Sequence, residues 1–183
     1  MLYTKKGDKG KTKLWGCCQS ISKSGAVAEA LGSLDEINSL LGVCKVKARD
    51  LRFKIKDLRG EDLLHEIQEN LFIIQAELAG VPKTISEKKV KDLEKIIGEI
   101  EKELPPIKTF FISGGTELAS LFDFARAVAR RAERRVVAVS DEGSVKFGEF
   151  TLSYLNRLSS ILYALARFAN HVAGIKEKSP DYK

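Results

Sequence analysis

The spacing of apolar residues between Gly114 and Ser140 is compatible with few structures other than a long helix. Apolar residues recur there every three or four positions, at Leu118, Leu121, Phe122, Ala125, Ala129, Ala132, Val136 and Val139. This spacing places them on one face of a helix. Beside that stripe, Arg126, Arg130 and Arg134 recur every four residues, so their guanidinium groups lie about one turn apart. The stretch therefore predicts one helix that both packs and presents cations.

Two interpretations of the arginines remain open at this point. Positions 126 to 135 hold five arginines, and most charge runs on helices coat a solvated surface. The planar fork of arginine, in a chain that otherwise prefers lysine, instead suits bidentate contact with phosphate. The segment begins with Gly114-Gly115-Thr116, where glycines let a backbone approach a ligand and Thr116 is a candidate helix cap. A helix start of this kind is also a weak indication of an anion site.

Four further segments show the same helical period. The predicted helices run from Ala26 to about Lys47, from Leu63 to Leu78, from a cap at Ser86 to Pro105-Pro106, and from Phe150 to Val172. Residues 49–60 are ambiguous, and no segment indicates a strand. The chain is therefore predicted to be all-α, an antiparallel bundle of four to five long helices.

The predicted organisation is one domain over residues 1–183. It comprises an N-terminal loop at 1–24, the bundle at 25–173 and a polar tail at 174–183. A chain of 183 residues is long enough to bury a sizeable core.

The N-terminal loop is rich in glycine and lysine. Its centre, Lys6-Gly7-Asp8-Lys9-Gly10-Lys11-Thr12, offers backbone amides, ammonium groups and a hydroxyl, which are the groups that bind a polyphosphate. The spacing is not that of a Walker A motif. A disordered basic tail has the same composition, so both interpretations stay open.

Charge and cysteine content narrow the class of protein. The chain has 31 basic and 25 acidic residues, a net charge of +6, which favours an anionic partner and leaves phosphorylated small molecules and nucleic acid both possible. Its cysteines, Cys17, Cys18 and Cys44, are odd in number and form no CxxC pair. Neither a disulfide framework nor a zinc site is indicated, and a cytoplasmic location is expected. The sequence has no apolar run long enough to span a membrane.

Few residues of this chain suit a general base. The only histidines, His65 and His171, lie far from any plausible nucleophile pairing. On the first helix, Asp35 and Asn38 are three apart and share a face, which we place beside the apolar stripe. The adjacent Phe110 and Phe111 predict one core aromatic and one that is free to line a pocket. We therefore expect the protein to supply cations and polar groups.

Three separated segments together resemble the PduO-type ATP:cob(I)alamin adenosyltransferases. The first comprises YTKKGDKGKTKLWG at 3–16 with AEALGSLDEINSLLG at 28–42. The second is FFISGGTELASLFDFARAVARRAERRVV at 110–137, and the third is YLNRLSSILYALAR at 154–167. Each match is weak alone, but the three occur in order and at matching separations.

The resemblance implies a reaction and its substrates. The family transfers the 5′-deoxyadenosyl group of ATP to the cobalt of cob(I)alamin, which gives adenosylcobalamin and triphosphate. Reduced cobalt is itself the nucleophile, so no general base is needed. The resemblance also implies Mg²⁺, a homotrimer with sites between subunits, and a possible adenosylcobalamin-dependent client enzyme. It implies neither a membrane nor a nucleic-acid partner.

By the same resemblance, particular residues receive roles. Arg126, Arg130, Asp35 and Asn156 form the implied catalytic set: the two arginines and Asn156 contact ATP, and Asp35 pairs with Arg126 across a subunit boundary. Phe110 lines the corrin pocket and displaces the lower axial ligand of cobalt. The residues implied to close over the phosphates are Thr4, Gly7, Asp8, Lys9, Gly10, Thr12 and Lys23. No residue is implied as a metal ligand.

The chain departs from the family pattern at Lys6, Lys11, Ser113, Asp123 and Ser160. These departures concern the rim of the loop and the corrinoid edge, whereas the arginines and Asp35 are intact. The alternative function is a non-enzymatic helical module that binds nucleic acid or another polyanion through its arginine face. A protein that mainly delivers adenosylcobalamin to a client is a third possibility.

Overall fold

The computed structural model describes residues 3, 5–14 and 20–182, and helices dominate this part of the chain. The described residues form five helices: α1 Ala26–Asp50, α2 Gly60–Leu78, α3 Glu87–Glu103, α4 Glu117–Asp141 and α5 Thr151–Val172. The predicted all-α bundle is therefore confirmed. No helix among the described residues has the length and apolar content that crossing a membrane requires.

The helix α4 occupies the centre of the bundle. It packs against both α1 and α5, while α2 packs on α1 and α3 packs on α5. The apolar stripe of α4 is buried as predicted except at Leu121, which is half-buried. On α1, burial raises the pKa of the Cys44 thiol to about 12, so this cysteine behaves as a core residue.

The prediction that no segment forms a strand is wrong at two places. β1 Lys11–Lys13 pairs antiparallel with β2 Ser20–Ser22, and β3 Lys54–Ile55 pairs antiparallel with β4 Leu58–Arg59. Strands of two or three residues are too short to show an alternating pattern. The first hairpin lies within the predicted loop, and the second fills the ambiguous stretch between α1 and α2.

Two ion pairs show how α1 and α4 are aligned along their lengths. Lys47 contacts Glu117 at 2.5 Å near one end of the pair of helices, and Glu36 accepts a hydrogen bond from Arg131 near the middle of both. Exposed pairs of this kind contribute only about 0–1 kcal/mol each to stability. Their use here is geometric, because they show which residues of the two antiparallel helices are neighbours.

Buried polar contacts anchor the start of α5. The carboxylate of Glu77, on α2, accepts hydrogen bonds from Gly148 N at 2.5 Å and Thr151 Oγ1 at 2.6 Å. One turn later, Asn70 Nδ2 donates to Tyr154 Oη at 3.0 Å, and burial raises the pKa of this phenol, so it stays neutral. The first turns of α5, which carry Asn156, are therefore held firmly on α2.

Candidate active site

A cleft of about 600 Å³ opens between α4, α5 and the segment that precedes α4. We call it the Phe110 cleft. It is lined by Ile107, Lys108, Thr109, Phe110, Phe111, Arg126, Arg130, Ser159, Ser160 and Tyr163. The wall formed by residues 107–111 thus carries two aromatic rings and Ile107 together with Lys108 and Thr109, the α4 wall is cationic, and the α5 wall carries hydroxyl groups. This combination suits a ligand that has both an anionic part and a flat apolar part.

Arg126 is held in place on the cationic wall. Its guanidinium lies over the ring of Tyr163, 5.8 Å from the ring centroid, and burial raises the pKa of the Tyr163 hydroxyl. Arg126 Nε is buried without a hydrogen-bond partner among the described residues. A buried donor without a partner costs free energy, so this atom fits an acceptor that a ligand or another subunit would bring.

Arg130 lies one turn along α4 from Arg126 and lines the same cleft. It is exposed, and it forms no ion pair with the described residues. The two arginines thus line the same cleft, and arginine side chains suit bidentate recognition of phosphate. The α4 wall of the cleft is the part of the site that suits a polyanion.

The prediction that either Phe110 or Phe111 is a core residue is wrong, because neither side chain is fully buried. Phe110 is 77% exposed, and Phe111 is half-buried with the Arg167 guanidinium 5.0 Å above its ring. Leaving a phenylalanine in water forgoes about 1.5–3 kcal/mol of burial free energy. An exposed ring at the mouth of a cleft therefore indicates a binding surface.

The glycine pair before α4 serves an internal contact. Gly114 and Gly115 have φ angles of 125° and 108°. Asn170 Nδ2 donates to Gly114 O at 2.8 Å, and Asn170 Oδ1 accepts from Thr116 N at 2.9 Å. Asp123 Oδ2 accepts from Gly114 N at 3.1 Å. The predicted cap is confirmed, since Thr116 Oγ1 accepts from Ala119 N at 3.1 Å. The amides of Gly114, Thr116 and Ala119 are thus engaged within the chain, and the suggested anion site at this helix start stays a prediction.

Asp123 also contributes charge at the edge of the site. Its carboxyl group is half-buried, and this burial raises its pKa, while the Gly114 amide and the nearby Arg126 charge act in the opposite direction. The carboxyl group therefore accepts a hydrogen bond from the turn before α4 and lies close enough to Arg126 for the two charges to interact.

Replacing Gly115 by alanine is expected to destabilise the protein by roughly 3 kcal/mol, from the unfavourable φ angle and the overpacking together. An added Cβ atom would lie 2.3 Å from Asn170 Oδ1, on a backbone at φ 108°. Urea unfolding measures the change. Gly98→Ala is the matched control, since Gly98 lies in α3 with nothing within 4 Å of its added Cβ, and it should gain roughly 0.5–1 kcal/mol. Equal effects of the two variants would contradict the packing argument.

Two predicted residues of α1 lie outside the Phe110 cleft. Asp35 is exposed and has no hydrogen bond or ion pair with the described residues. Asn38 does not lie beside the apolar stripe, as we predicted, but within it, at 6% exposure. Its Oδ1 is buried without a partner in the described part of the chain. The prediction was wrong because the helical period alone does not show whether a single asparagine lies within the buried stripe or beside it.

Asn156 lies close to the cleft without lining it. It is one turn before Ser159 and Ser160, and Ser159 Oγ donates to its backbone carbonyl at 3.1 Å. Its side-chain amide is engaged, since Nδ2 donates to Glu133 Oε1 at 3.0 Å and Oδ1 accepts from Arg157 Nη1 at 2.8 Å. For the Asn156 side chain to contact a nucleotide, at least one of these hydrogen bonds must be replaced by a bond to the nucleotide.

The predicted phosphate loop is a turn and a hairpin in the structure. Gly7, Asp8, Lys9 and Gly10 form the turn that leads into β1, which contains Thr12. Lys23 follows β2, donates its backbone N–H to Gly10 O at 2.9 Å, and extends its Nζ over Gly7, 2.9 Å from where a Cβ would lie. These residues are thus brought together, but none of them lines the Phe110 cleft. Thr4 lies outside the described residues.

Sequence reasoning missed three residues that shape the site: Tyr163, Arg167 and Asn170. The ring of Tyr163 lies against the Arg126 guanidinium. Arg167 and Asn170 are each only 5% exposed, and both form hydrogen bonds with the segment before α4. The sequence did contain a signal for Arg167 and Asn170, because these two polar residues interrupt the apolar face of the last helix. A buried polar residue in such a face needs a partner.

Comparison with known proteins gives consistent matches. The family model described as cobalamin adenosyltransferase matches residues 2–169. The corrinoid adenosyltransferase PduO of Citrobacter freundii is 40% identical over 179 residues, and the match covers 94% of this chain and 50% of that protein. The corrinoid adenosyltransferase of Bacillus subtilis is 39% identical over 178 residues, covering 95% and 89% respectively. The chain thus spans about half the length of the PduO relative and most of the Bacillus one.

A solved structure matches the fold over the full chain. It is a variant of a PduO-type ATP:corrinoid adenosyltransferase from Lactobacillus reuteri, complexed with cobalamin and ATP. The TM-score is 0.88 at 31% identity, and the match covers 100% of this chain and 97% of that one.

Proposed function

The chain belongs to the cobalamin adenosyltransferase family, and we propose that it transfers the 5′-deoxyadenosyl group of ATP to the cobalt of cob(I)alamin. The observation that carries the proposal is the Phe110 cleft, in which Arg126 and Arg130 face an exposed aromatic side chain. The guanidinium groups suit the triphosphate of ATP, and the phenyl ring suits the flat apolar surface of a corrin. The alternative of a nucleic-acid-binding module is not favoured, because its phosphate contacts would leave the exposed Phe110 unused.

The proposed chemistry asks the protein for positioning and charge stabilisation. An electron pair of cobalt(I) forms the bond to C5′, the C5′–O bond breaks, and triphosphate leaves with both bonding electrons. No carboxylate or imidazole is among the described residues that line the cleft, and the reaction needs none, because the nucleophile carries no proton to remove. Arg126 and Arg130 would stabilise the charge that develops on the leaving group.

Magnesium enters the proposal as part of the substrate. Among the described residues, no group of three or more His, Cys, Asp or Glu side chains is arranged to hold a metal. Mg²⁺ commonly takes its ligands from substrate phosphates and water. We therefore propose that MgATP is the nucleotide substrate and that the chain's own cations bind its remaining phosphate charge.

We propose that the active site is shared between subunits of a homotrimer. Asp35 is exposed and without a partner among the described residues, and Arg126 Nε is buried without one. Within one chain the two residues lie at different heights, because Glu36 is level with Arg131. Arg126 is five residues from Arg131, about 7.5 Å along the helix, and its guanidinium lies against α5. Pairing of Asp35 with Arg126 therefore fits contact between chains better than contact within one.

We also propose that the enzyme acts in the cytoplasm and supplies adenosylcobalamin to a client enzyme. The cysteine pattern supports a reducing compartment, since the number is odd and Cys44 is a buried free thiol. The product is a cofactor, so an enzyme that consumes it must exist in the same cell. Co-purification with an adenosylcobalamin-dependent enzyme in cobalamin-fed cells would test the partner.

One assay tests the proposed reaction. The protein is incubated with MgATP and chemically reduced cobalamin under anaerobic conditions, and the product is followed by its visible spectrum and its sensitivity to light. We expect adenosylcobalamin and triphosphate in equal amounts. Formation of phosphate or diphosphate without a cobalt–carbon product would refute the proposal.

Removing residues 1–14 is expected to abolish stabilisation by MgATP while leaving the helices folded. The deletion removes the turn and β1 but none of the bundle. In the intact protein, MgATP at about 100 times its Kd should add about 2.7 kcal/mol of unfolding free energy. Thermal unfolding with and without MgATP measures the difference, and far-UV circular dichroism checks the helices.

The exposed Lys91 on α3 provides the control for this deletion, because its only ion pair is with Glu87 among the described residues. Lys91→Ala removes a surface cation and should retain the full stabilisation by MgATP. If the deleted protein were still stabilised as strongly as the intact one, the assignment of the loop to phosphate binding would be refuted.

A further inference from the structure

Arg167 is a buried cation whose role the proposed chemistry does not explain. It lies near the end of α5 at 5% exposure, and burial of an arginine is costly unless its charge and donors are satisfied. Arg167 Nε donates to Glu177 Oε2 at 3.0 Å and to Oε1 at 3.3 Å. The ion pair is enclosed, since the side chains of Arg167 and Glu177 are 6% and 18% exposed.

The same guanidinium holds both flanks of the aromatic wall of the cleft. Arg167 Nη2 donates to Pro105 O at 3.1 Å, which lies just before the lining segment 107–111. The Arg167 guanidinium also lies 5.0 Å above the Phe111 ring, at the other end of that segment. One side chain therefore fixes the segment at two points: Pro105, two residues after the end of α3, and Phe111, six residues before the start of α4.

The C-terminal tail adds a third contact to this segment. Ile112 N donates to Lys178 O at 2.8 Å, and Ile175 N donates to Asn170 O at 2.9 Å. Glu177 lies between these two backbone contacts. The tail thus runs back along the segment that carries Phe110, and Arg167 ties the tail and the segment to α5.

Phe110 itself depends on the backbone for its position. Its ring is 77% exposed, so packing of the side chain contributes little to holding it. We propose that Arg167 and Glu177 form a latch that positions the aromatic wall 107–111, which makes both of them positioning residues for the corrinoid. The effect on turnover rests on the proposed function, but the effect on the segment's mobility does not.

The first test measures mobility without any substrate. Hydrogen exchange of peptides covering residues 105–115 is compared in the intact protein, Arg167→Met and Glu177→Gln. We expect exchange of this segment to accelerate by roughly tenfold or more in both variants, because local opening no longer has to break the latch. Exchange in α1 and α2 should not change. Unchanged exchange at 105–115 in Glu177→Gln would overturn the latch, whatever the protein catalyses.

The second test separates the two substrates. In both variants KM for the corrinoid should rise by roughly tenfold or more, since a displacement near 1 Å is enough to cost up to about 100-fold. KM for MgATP should stay within about threefold, because Arg130 and the phosphate loop keep their contacts. Loss of a residue that only stabilises the fold would affect both substrates alike. Equal changes in KM for the corrinoid and KM for MgATP would therefore overturn the proposal.

A double variant and a matched pair complete the design. Arg167→Met with Glu177→Gln should resemble the worse single variant, because both changes break one latch and their effects are then not additive. Arg59 and Asp62 form an exposed pair at the start of α2, with Nε–Oδ2 2.7 Å apart. Arg59→Met and Asp62→Asn should change neither the exchange at 105–115 nor either KM. If Arg167→Met fails to fold, Glu177→Gln alone decides the matter, since its tail position leaves the bundle core intact.

Discussion

Replacing Phe110 by alanine is expected to reduce turnover with cobalamin by roughly 100-fold or more, the scale of loss when a reacting centre is no longer correctly positioned. The ring is 77% exposed and lies in the Phe110 cleft, so its removal should leave the folded protein almost as stable as before. In the proposed reaction the phenyl group occupies the space of the lower axial ligand of cobalt and keeps the metal four-coordinate. Its loss should therefore act on the corrinoid step while MgATP binds with nearly unchanged affinity.

Spectra of bound cob(II)alamin make this prediction specific. The intact protein should convert part of the bound corrinoid to the four-coordinate form, and Phe110→Ala should leave it five-coordinate. Phe72 supplies the matched control, because it is 56% exposed on α2 and does not line the cleft. Phe72→Ala should keep both the activity and the four-coordinate spectrum. A Phe110→Ala protein that retains the four-coordinate form would disprove the role assigned to this ring.

The neighbouring aromatic distinguishes a direct from an indirect effect. Phe111 is half-buried under the Arg167 guanidinium, so Phe111→Ala removes a contact of the latch and should loosen the segment 105–115. Phe110→Ala removes no such contact and should leave hydrogen exchange of that segment unchanged. The two adjacent phenylalanines thus have different expected signatures, which their adjacency in the sequence alone could not assign.

The helices were predictable because their signal is local and repeated. The stripe from Leu118 to Val139 spans six turns, and each turn adds an independent indication of the same face. A helix start was also predictable where a side chain caps it, as Thr116 does for α4. At Ser86 the helix begins as predicted, but no side-chain hydrogen bond forms. A capping residue therefore marks a boundary more reliably than it predicts the bond.

The site was less predictable because it is assembled from residues far apart in sequence. The Phe110 cleft combines 107–111, two arginines of α4 and three residues of α5, and no local pattern relates these segments. Only the resemblance to a family joined Phe110 to Arg126 in advance. The contacts of Arg167 with Pro105 and Glu177 depend on a tail that has no periodic pattern at all.

The arginine run of α4 shows why neither of its two interpretations applies to every member. Arg126 and Arg130 line the cleft, whereas Arg131 pairs with Glu36 on α1. Arg134 and Arg135 are exposed, as expected of solvated charges. A helix rotates 100° per residue, so adjacent arginines face different surroundings. The spacing of four places Arg126 and Arg130 on the same side of α4, but Arg134, at the same spacing, lies beyond the cleft.

The shared site is expected to reveal itself when two inactive variants are combined. Asp35→Ala and Arg126→Ala should each be nearly inactive, because either change removes one member of the proposed pair and leaves the other charge without its partner. In the structure, Asp35 has no partner among the described residues, and Arg126 is held against Tyr163 on α5. Each variant should therefore still fold, which circular dichroism and size-exclusion chromatography will check before mixing.

Mixing the two proteins under conditions that allow subunit exchange should restore about a quarter of the activity of the unaltered enzyme. In a cyclic trimer that contains both variants, one of the three interfaces receives an intact Asp35 and an intact Arg126. About three quarters of the trimers from an equal random mixture contain both variants, and a third of their sites would work. A mixture of Arg126→Ala with Arg130→Ala is the control, because both changes remove residues of the same α4 wall. If Asp35 and Arg126 serve one site within one chain, the first mixture will stay as inactive as its components even though mass spectrometry detects mixed trimers.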